Sequence, residues 1–153
     1  MKIYQLRQEQ FLPISLDKAW NFFSTPKNLE KITPEDMSFQ ILSDLGDGKA
    51  YAGQIINYKV SPFKGVKMRW TTEICHCEDR KYFVDEQRFG PYSFWHHKHF
   101  FNEVEGGVKM IDIVDYALPL GILGQLAHTI FVRKKLVGIF EYRFQILEKK
   151  FSQ

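Results

Sequence analysis

The pattern of apolar and polar positions changes period twice along the chain. Ile3 to Leu12 alternates with a period of two, which predicts a strand with one covered face. Ser15 then stands at an N-cap position ahead of Ala19, Trp20, Phe22 and Phe23, the apolar side of a short helix. Lys18 occupies the place where a capping box would have Glu, so a cap without the box is expected. Thr25-Pro26 breaks this helix, and Lys27 to Ile32 can form a second before Thr33-Pro34. From Met37 to Leu118 the period is again two. Turn signals at Gly46-Asp47-Gly48, Ser61-Pro62, Glu78-Asp79, Gly90-Pro91 and Gly106-Gly107 divide this region. They predict six strands at about 37–44, 50–60, 66–77, 82–89, 93–105 and 108–118. After Pro119 the spacing becomes helical, with Leu126, Ile130, Val137, Phe140, Phe144, Leu147 and Phe151 on one stripe of a long helix.

Strands in succession with short turns make an antiparallel meander, and such a sheet needs a cover on one face. The long helix offers an apolar stripe of matching length. The expected architecture is therefore α+β: a seven-stranded antiparallel curved sheet around a long C-terminal helix, with two short helices after the first strand. This is a helix grip, and it encloses a cavity. A chain of 153 residues without repeat or linker fits one domain over 1–153. Aromatic residues make up 16% of it, with 14 Phe, which suits a sheet-rich fold with a bulky interior.

Charge adds little. The net charge is +3, and the run Arg133-Lys134-Lys135 reads as the solvated side of a helix, so no nucleic-acid partner is expected. The N-terminus has no apolar leader region. The least charged stretch, Ala117 to Val132, is interrupted by Pro119, Gly121, Gly124 and His128 and is shorter than the ~20 residues of a membrane span. Cys75 and Cys77, two apart on one strand and one face, are awkward to bridge. Free thiols point to the cytoplasm, and the pair supplies only two metal ligands.

A two-residue turn at Gly106-Gly107 would pair Glu105 with Val108. Phe101 would then lie opposite Asp112, His99 opposite Val114 and His97 opposite Tyr116. Trp95, His97, His99 and Phe101 share a face with Met110, Asp112, Val114 and Tyr116, whereas Lys98, Asn102, Lys109 and Asp115 suit water on the other. The first set should point inward. A two-residue turn at Asp79-Arg80 would bring in Trp70, Thr72 and Ile74 with Phe83, Asp85 and Gln87. A turn one residue longer would exchange Asp85 and Gln87 for Val84, Glu86 and Arg88. Buried Asp112 and the histidines could simply satisfy one another, or they could form the polar end of an otherwise apolar ligand pocket. His97, His99 and Asp112 also permit a two-histidine, one-carboxylate metal site. No further ligand is evident, so neither metal nor cofactor is expected.

Phe83-Val84-Asp85-Glu86-Gln87, Gly90-Pro91-Tyr92 and Trp95-x-His97-x-His99-x-Phe101 form a continuous pattern. Asn28-Leu29 with Ile32-Thr33-Pro34, Met110-x-Asp112-x-Val114-x-Tyr116 and Pro119-Leu120-Gly121 extend it. The whole resembles a ligand-binding subgroup of the START-like (SRPBCC) superfamily, which also covers polyketide cyclases, Bet v 1-type allergens and lipid-transfer domains. The resemblance implies a helix-grip fold with a hydrophobic-ligand cavity, and it implies no particular reaction. The expected ligand is a small hydrophobic or amphipathic molecule. It would meet Trp70, Asp85, Gln87, Tyr92, Trp95, His97, His99, Phe101, Asp112 and Tyr116, with Ile130 and Phe140 from the helix. Two alternatives stand beside this reading. One is a cyclase, aromatase or hydrolase using His97, His99 and Asp112 as acid and base, although no G-x-S-x-G motif is present. The other is a regulatory module acting through exposed Phe94 and Phe100, which also leave room for a homodimer contact.

Overall fold

Alternation at the start of the chain is realised as β1, Tyr4–Leu12, in a computed structural model that describes residues 1–46, 48–63 and 66–152. Helix α1, Leu16–Phe23, follows, and Ser15 caps it by accepting from the Lys18 backbone N–H at 3.3 Å. Two 3-10 turns, Pro26–Ile32 and Glu35–Met37, lead to the sheet. Its further strands are β2 (Gln40–Ile41), β3 (Gln54–Phe63), β4 (Val66–Glu78), β5 (Tyr82–Phe89), β6 (Phe94–Val104) and β7 (Gly107–Ala117). The chain ends in one continuous helical run: α2 (Gly121–Ala127), a π turn (His128–Val132) and α3 (Arg133–Phe151). Strand order is β1-β7-β6-β5-β4-β3-β2, all antiparallel, so the first strand pairs with the last. α3 lies across the concave face. This is the helix-grip architecture that the periodicity predicts. No helix among the described residues is long and apolar enough to cross a membrane.

The β6–β7 hairpin turns at Glu105-Gly106, not Gly106-Gly107, with Val104 opposite Gly107. Gly106 has φ +79°, a left-handed conformation that glycine adopts without strain. Gly107 is drawn into the strand because a Cβ there would lie 2.2 Å from the Leu12 carbonyl oxygen of β1. The pairing slips by two residues, which preserves the faces but changes the partners. His99 now sits opposite Asp112, His97 opposite Val114 and Trp95 opposite Tyr116.

The β4–β5 turn is the longer alternative, pairing Glu78 with Tyr82, with Arg80 left-handed at φ 61°. Asp85 and Gln87 nevertheless stay inward. An irregularity between Ile74 and His76 takes up the extra residue, so Ile74 pairs with Asp85 and Thr72 with Gln87. The same bulge separates the cysteines. Cys77 packs against the core, whereas Cys75 lies on the outer face beside Glu86 and His96.

The edge of the sheet is shorter than expected. Met37 belongs to a 3-10 turn, left-handed Ser38 (φ 44°) ends it, and only Gln40–Ile41 pairs with β3. Side chains replace ladder bonds there: Glu30 accepts from the Ile41 N–H, and Ser43 Oγ from the Asn57 N–H. Ser61-Pro62 lies within β3 rather than at a turn. Asp47 of the Gly46-Asp47-Gly48 signal falls outside the described residues.

The C-terminal stripe also differs. A straight helix would align Leu126 with Phe140, but the π turn adds a residue and rotates everything before it. The buried line is Val132, Leu136, Phe140, Arg143, Leu147 and Phe151. Leu126 and Ile130 are exposed, the latter at 65%. Two apolar clusters result. One joins Leu12, Trp20, Ile56, Phe101, Leu147 and Phe151, and the other joins Trp95, Val114, Tyr116, Val132, Leu136 and Phe140.

Candidate functional site

A cavity of about 540 Å³ lies between the sheet and α3. Ile56, Tyr58, Trp70, Trp95, Leu136 and Phe140 supply apolar wall. Leu120 and Leu123 line it and are also largely exposed, so that end opens to solvent. Its polar side chains include Asp85, His97, His99 and Arg143.

His97 and His99 share a face because they are two apart on β6. Sheet register places Asp85 of β5 opposite His97, and Asp112 of β7 opposite His99. The two rings stand 3.7 Å apart, centroid to centroid, between the two carboxylates. Asp112 Oδ1 lies 3.1 Å from His97 Nε2 and 2.7 Å from His99 Nδ1. The second of these contacts is close but off the line of a ring N–H, so it is electrostatic rather than a hydrogen bond. Asp85 Oδ2 lies 3.0 Å from His99 Nε2 and 3.5 Å from His97 Nδ1. Asp85, His97 and His99 reach the cavity, and Asp112 sits behind them.

Burial sets the protonation. It pushes His97 below the usual histidine range, helped by the charge of His99. Burial acts the same way on His99, but Asp112 and Asp85 together outweigh it and hold that ring above its usual range. Burial alone would raise both carboxyls. The imidazoles, and Arg143 in the case of Asp85, instead hold them below the usual carboxylate range. The two rings are thus pushed in opposite directions, His97 toward the neutral form and His99 toward the charged form.

The set expected from sequence lacks the wall residues Ile56, Tyr58 and Leu136 and one charged residue, Arg143. Arg143 is 8% exposed, its guanidinium lies 5.0 Å over the Phe140 ring, and its Nε has no hydrogen-bond partner among the described residues. The sequence does carry a signal for it. Arg143 is three residues after Phe140 and four before Leu147, a charge in the phase of the apolar stripe.

Of the residues expected to meet a ligand, Trp70, Asp85, Tyr92, Trp95, His97, His99 and Phe140 line the cavity. Ile130 does not, because the π turn points it to solvent. Gln87 instead clamps the following loop, donating to the Tyr92 carbonyl at 2.7 Å and accepting from its N–H at 3.2 Å. Phe101 is core, packed edge-on against Trp20 at 5.6 Å. Tyr116 is buried with its hydroxyl 2.8 Å from His128 Nε2. Asp112 acts from behind the histidines. Among the described residues, two trios bring three metal-ligand atoms within 4.8 Å of one another: Asp85, His97 and His99 inside, and Cys75, Glu86 and His96 on the outer face. The metal set that the sequence permits without favouring it has Asp112 in the place that Asp85 takes. At the outer trio, burial and Glu86 push the Cys75 thiol up.

No family profile matches the chain, and no curated protein matches it in sequence. Its fold has solved counterparts. The Thermus thermophilus protein TTHA0849 shares 18% identity over 95% of each chain, with a TM-score of 0.72. Ginseng major latex-like protein 151 from Panax ginseng shares 12% over 97% of each chain, with a TM-score of 0.69. A Thalictrum norcoclaurine synthase point mutant, solved in complex with a transition-state analogue, shares 12% over 97% of this chain and 96% of its own, with a TM-score of 0.66. The chain thus has the START-like, Bet v 1-type helix-grip fold that the sequence resemblance implies.

Proposed function

We propose that this protein binds one small amphipathic molecule in the cavity between sheet and α3. The observation that carries the reading is a largely apolar chamber whose lining Asp85, His97, His99 and Arg143 reach as largely buried acidic and basic groups. Aromatic and aliphatic walls bury a ligand's body, and a few placed polar groups orient its head. Arg143 is the leading anchor for that head. Its Nε has no hydrogen-bond partner among the described residues, a buried donor left unpaired is costly, and Asp85, whose charge Arg143 feels, is already held by the imidazoles. A planar anionic head, such as a carboxylate, matches its forked donors.

The neutral fluorophore 1-aminoanthracene provides the test. Delipidated protein should enhance and blue-shift its emission with one site per chain, and Trp95→Arg, which places charge in the wall, should abolish the signal while the fold persists by circular dichroism. A protein that takes up no apolar probe contradicts the reading.

A further inference from the structure

We infer that Asp85, His97 and His99 form a binding site for one divalent transition-metal ion at the polar side of the cavity. Each ring presents one nitrogen to Asp112 and the other to Asp85. Asp112 addresses His97 through Nε2 and His99 through Nδ1. That leaves His97 Nδ1 and His99 Nε2 turned toward Asp85, and all three residues line the cavity. Metal-ligating histidines commonly direct the other ring nitrogen to a carboxylate, which fixes tautomer and orientation. Asp112 does this for His97 by a hydrogen bond at Nε2, and for His99 it supplies a charge 2.7 Å from Nδ1.

The spacing also suits an ion. Nitrogen and oxygen ligands bind zinc at about 2.0–2.2 Å, which places neighbouring donors about 3.0–3.5 Å apart. Asp85 Oδ2 lies 3.0 Å from His99 Nε2 and 3.5 Å from His97 Nδ1. Two imidazoles and one carboxylate suit zinc or ferrous iron, whereas calcium and magnesium prefer all-oxygen shells. With both imidazoles neutral, a dication offsets the charges of Asp85 and Asp112, and Arg143 leaves the site net positive. Arg143 then remains to favour an anionic oxygen at the open coordination positions, which face the cavity.

The competing trio, Cys75, Glu86 and His96, is less apt. Arg88 lies 3.3 Å from Glu86, and the Cys75 thiol donates to the Val84 carbonyl. It still requires a control.

Untagged protein stripped with EDTA should be titrated with Co²⁺ and followed by visible d–d absorption, and with Zn²⁺ by competition. One equivalent should bind, unchanged in Cys75→Ala and lost in Asp85→Asn and His99→Gln. Asp112→Asn, a positioning change, should weaken affinity by about 10–100-fold. X-ray absorption of the wild-type zinc form should show two imidazoles and no sulfur near ~2.3 Å, a readout that holds even where variants unfold. A sulfur scatterer, loss of binding in Cys75→Ala, binding that survives Asp85→Asn, or no stoichiometric uptake would each overturn the site. The 1-aminoanthracene assay reports the apolar cavity separately.

Discussion

Arg143→Met converts the leading anchor into an uncharged side chain of similar reach. In the folded protein the guanidinium is buried against Phe140, and its Nε–H donates to no acceptor among the described residues. A charge-assisted hydrogen bond contributes about 1.5–3 kcal/mol net. Removing it should cost an acidic ligand about 10–150-fold in affinity, at 1.4 kcal/mol per tenfold. A neutral ligand of the same length should lose almost nothing, because the apolar walls are unchanged. The assay is displacement of 1-aminoanthracene by dodecanoate and by dodecanol at pH 7, where the acid is ionised. Wild-type protein should prefer dodecanoate by at least about tenfold, and Arg143→Met should erase that preference. The thermal midpoint should change little, since the unpaired Nε donor is removed together with the cation–π contact to Phe140 and the attraction to Asp85. Equal affinities for acid and alcohol in wild type, or a preference that survives Arg143→Met, would refute the anchor.

Four further outcomes follow from the packing and the buried charges. Asp112→Asn breaks a buried charge cluster and should cost about 3–5 kcal/mol in urea denaturation at pH 7. In metal-stripped wild type, Asp85 and Asp112 titrate below the unfolded value of about 3.9, so their stabilisation is present above that pH and lost as pH falls through the folded values. The urea midpoint should drop steeply on that acid side, and less steeply in Asp112→Asn; equal slopes would contradict the assignment. Phe101→Ala should destabilise by about 3–5 kcal/mol while leaving 1-aminoanthracene affinity nearly unchanged, since Phe101 is core rather than wall. Gly107→Ala places a Cβ against the Leu12 carbonyl and should loosen the β1–β7 pair, read as faster hydrogen exchange at Leu12 and Val108.

What is legible in the sequence is mainly which face each side chain takes. The pattern places Trp95, His97 and His99 inward correctly although its hairpin register is two residues out, because a slip of two conserves the face. The partners across the strands are not legible, since Gly106 and Gly107 offer equivalent turn chemistry and only the approach of β1 decides between them. Asp85 stays inward despite the longer turn, through a bulge at Cys75 that no local signal marks. The phase of α2 is hidden for a similar reason: a π turn at His128–Val132 leaves no periodic trace, so the stripe puts Ile130 on the wrong side. Arg143 is visible as a charge within an apolar phase, but its meaning needs the cavity beside it.

The central claim is that an amphipathic molecule occupies the interior. Intermolecular NOEs between bound dodecanoate and the protein test it most directly. Contacts from the alkyl chain to the rings of Trp95 and Phe140 and to the methyls of Ile56 and Leu136 are predicted. Contacts confined to exposed Ile122, Leu126 and Ile130 would place the molecule on the surface and contradict the account.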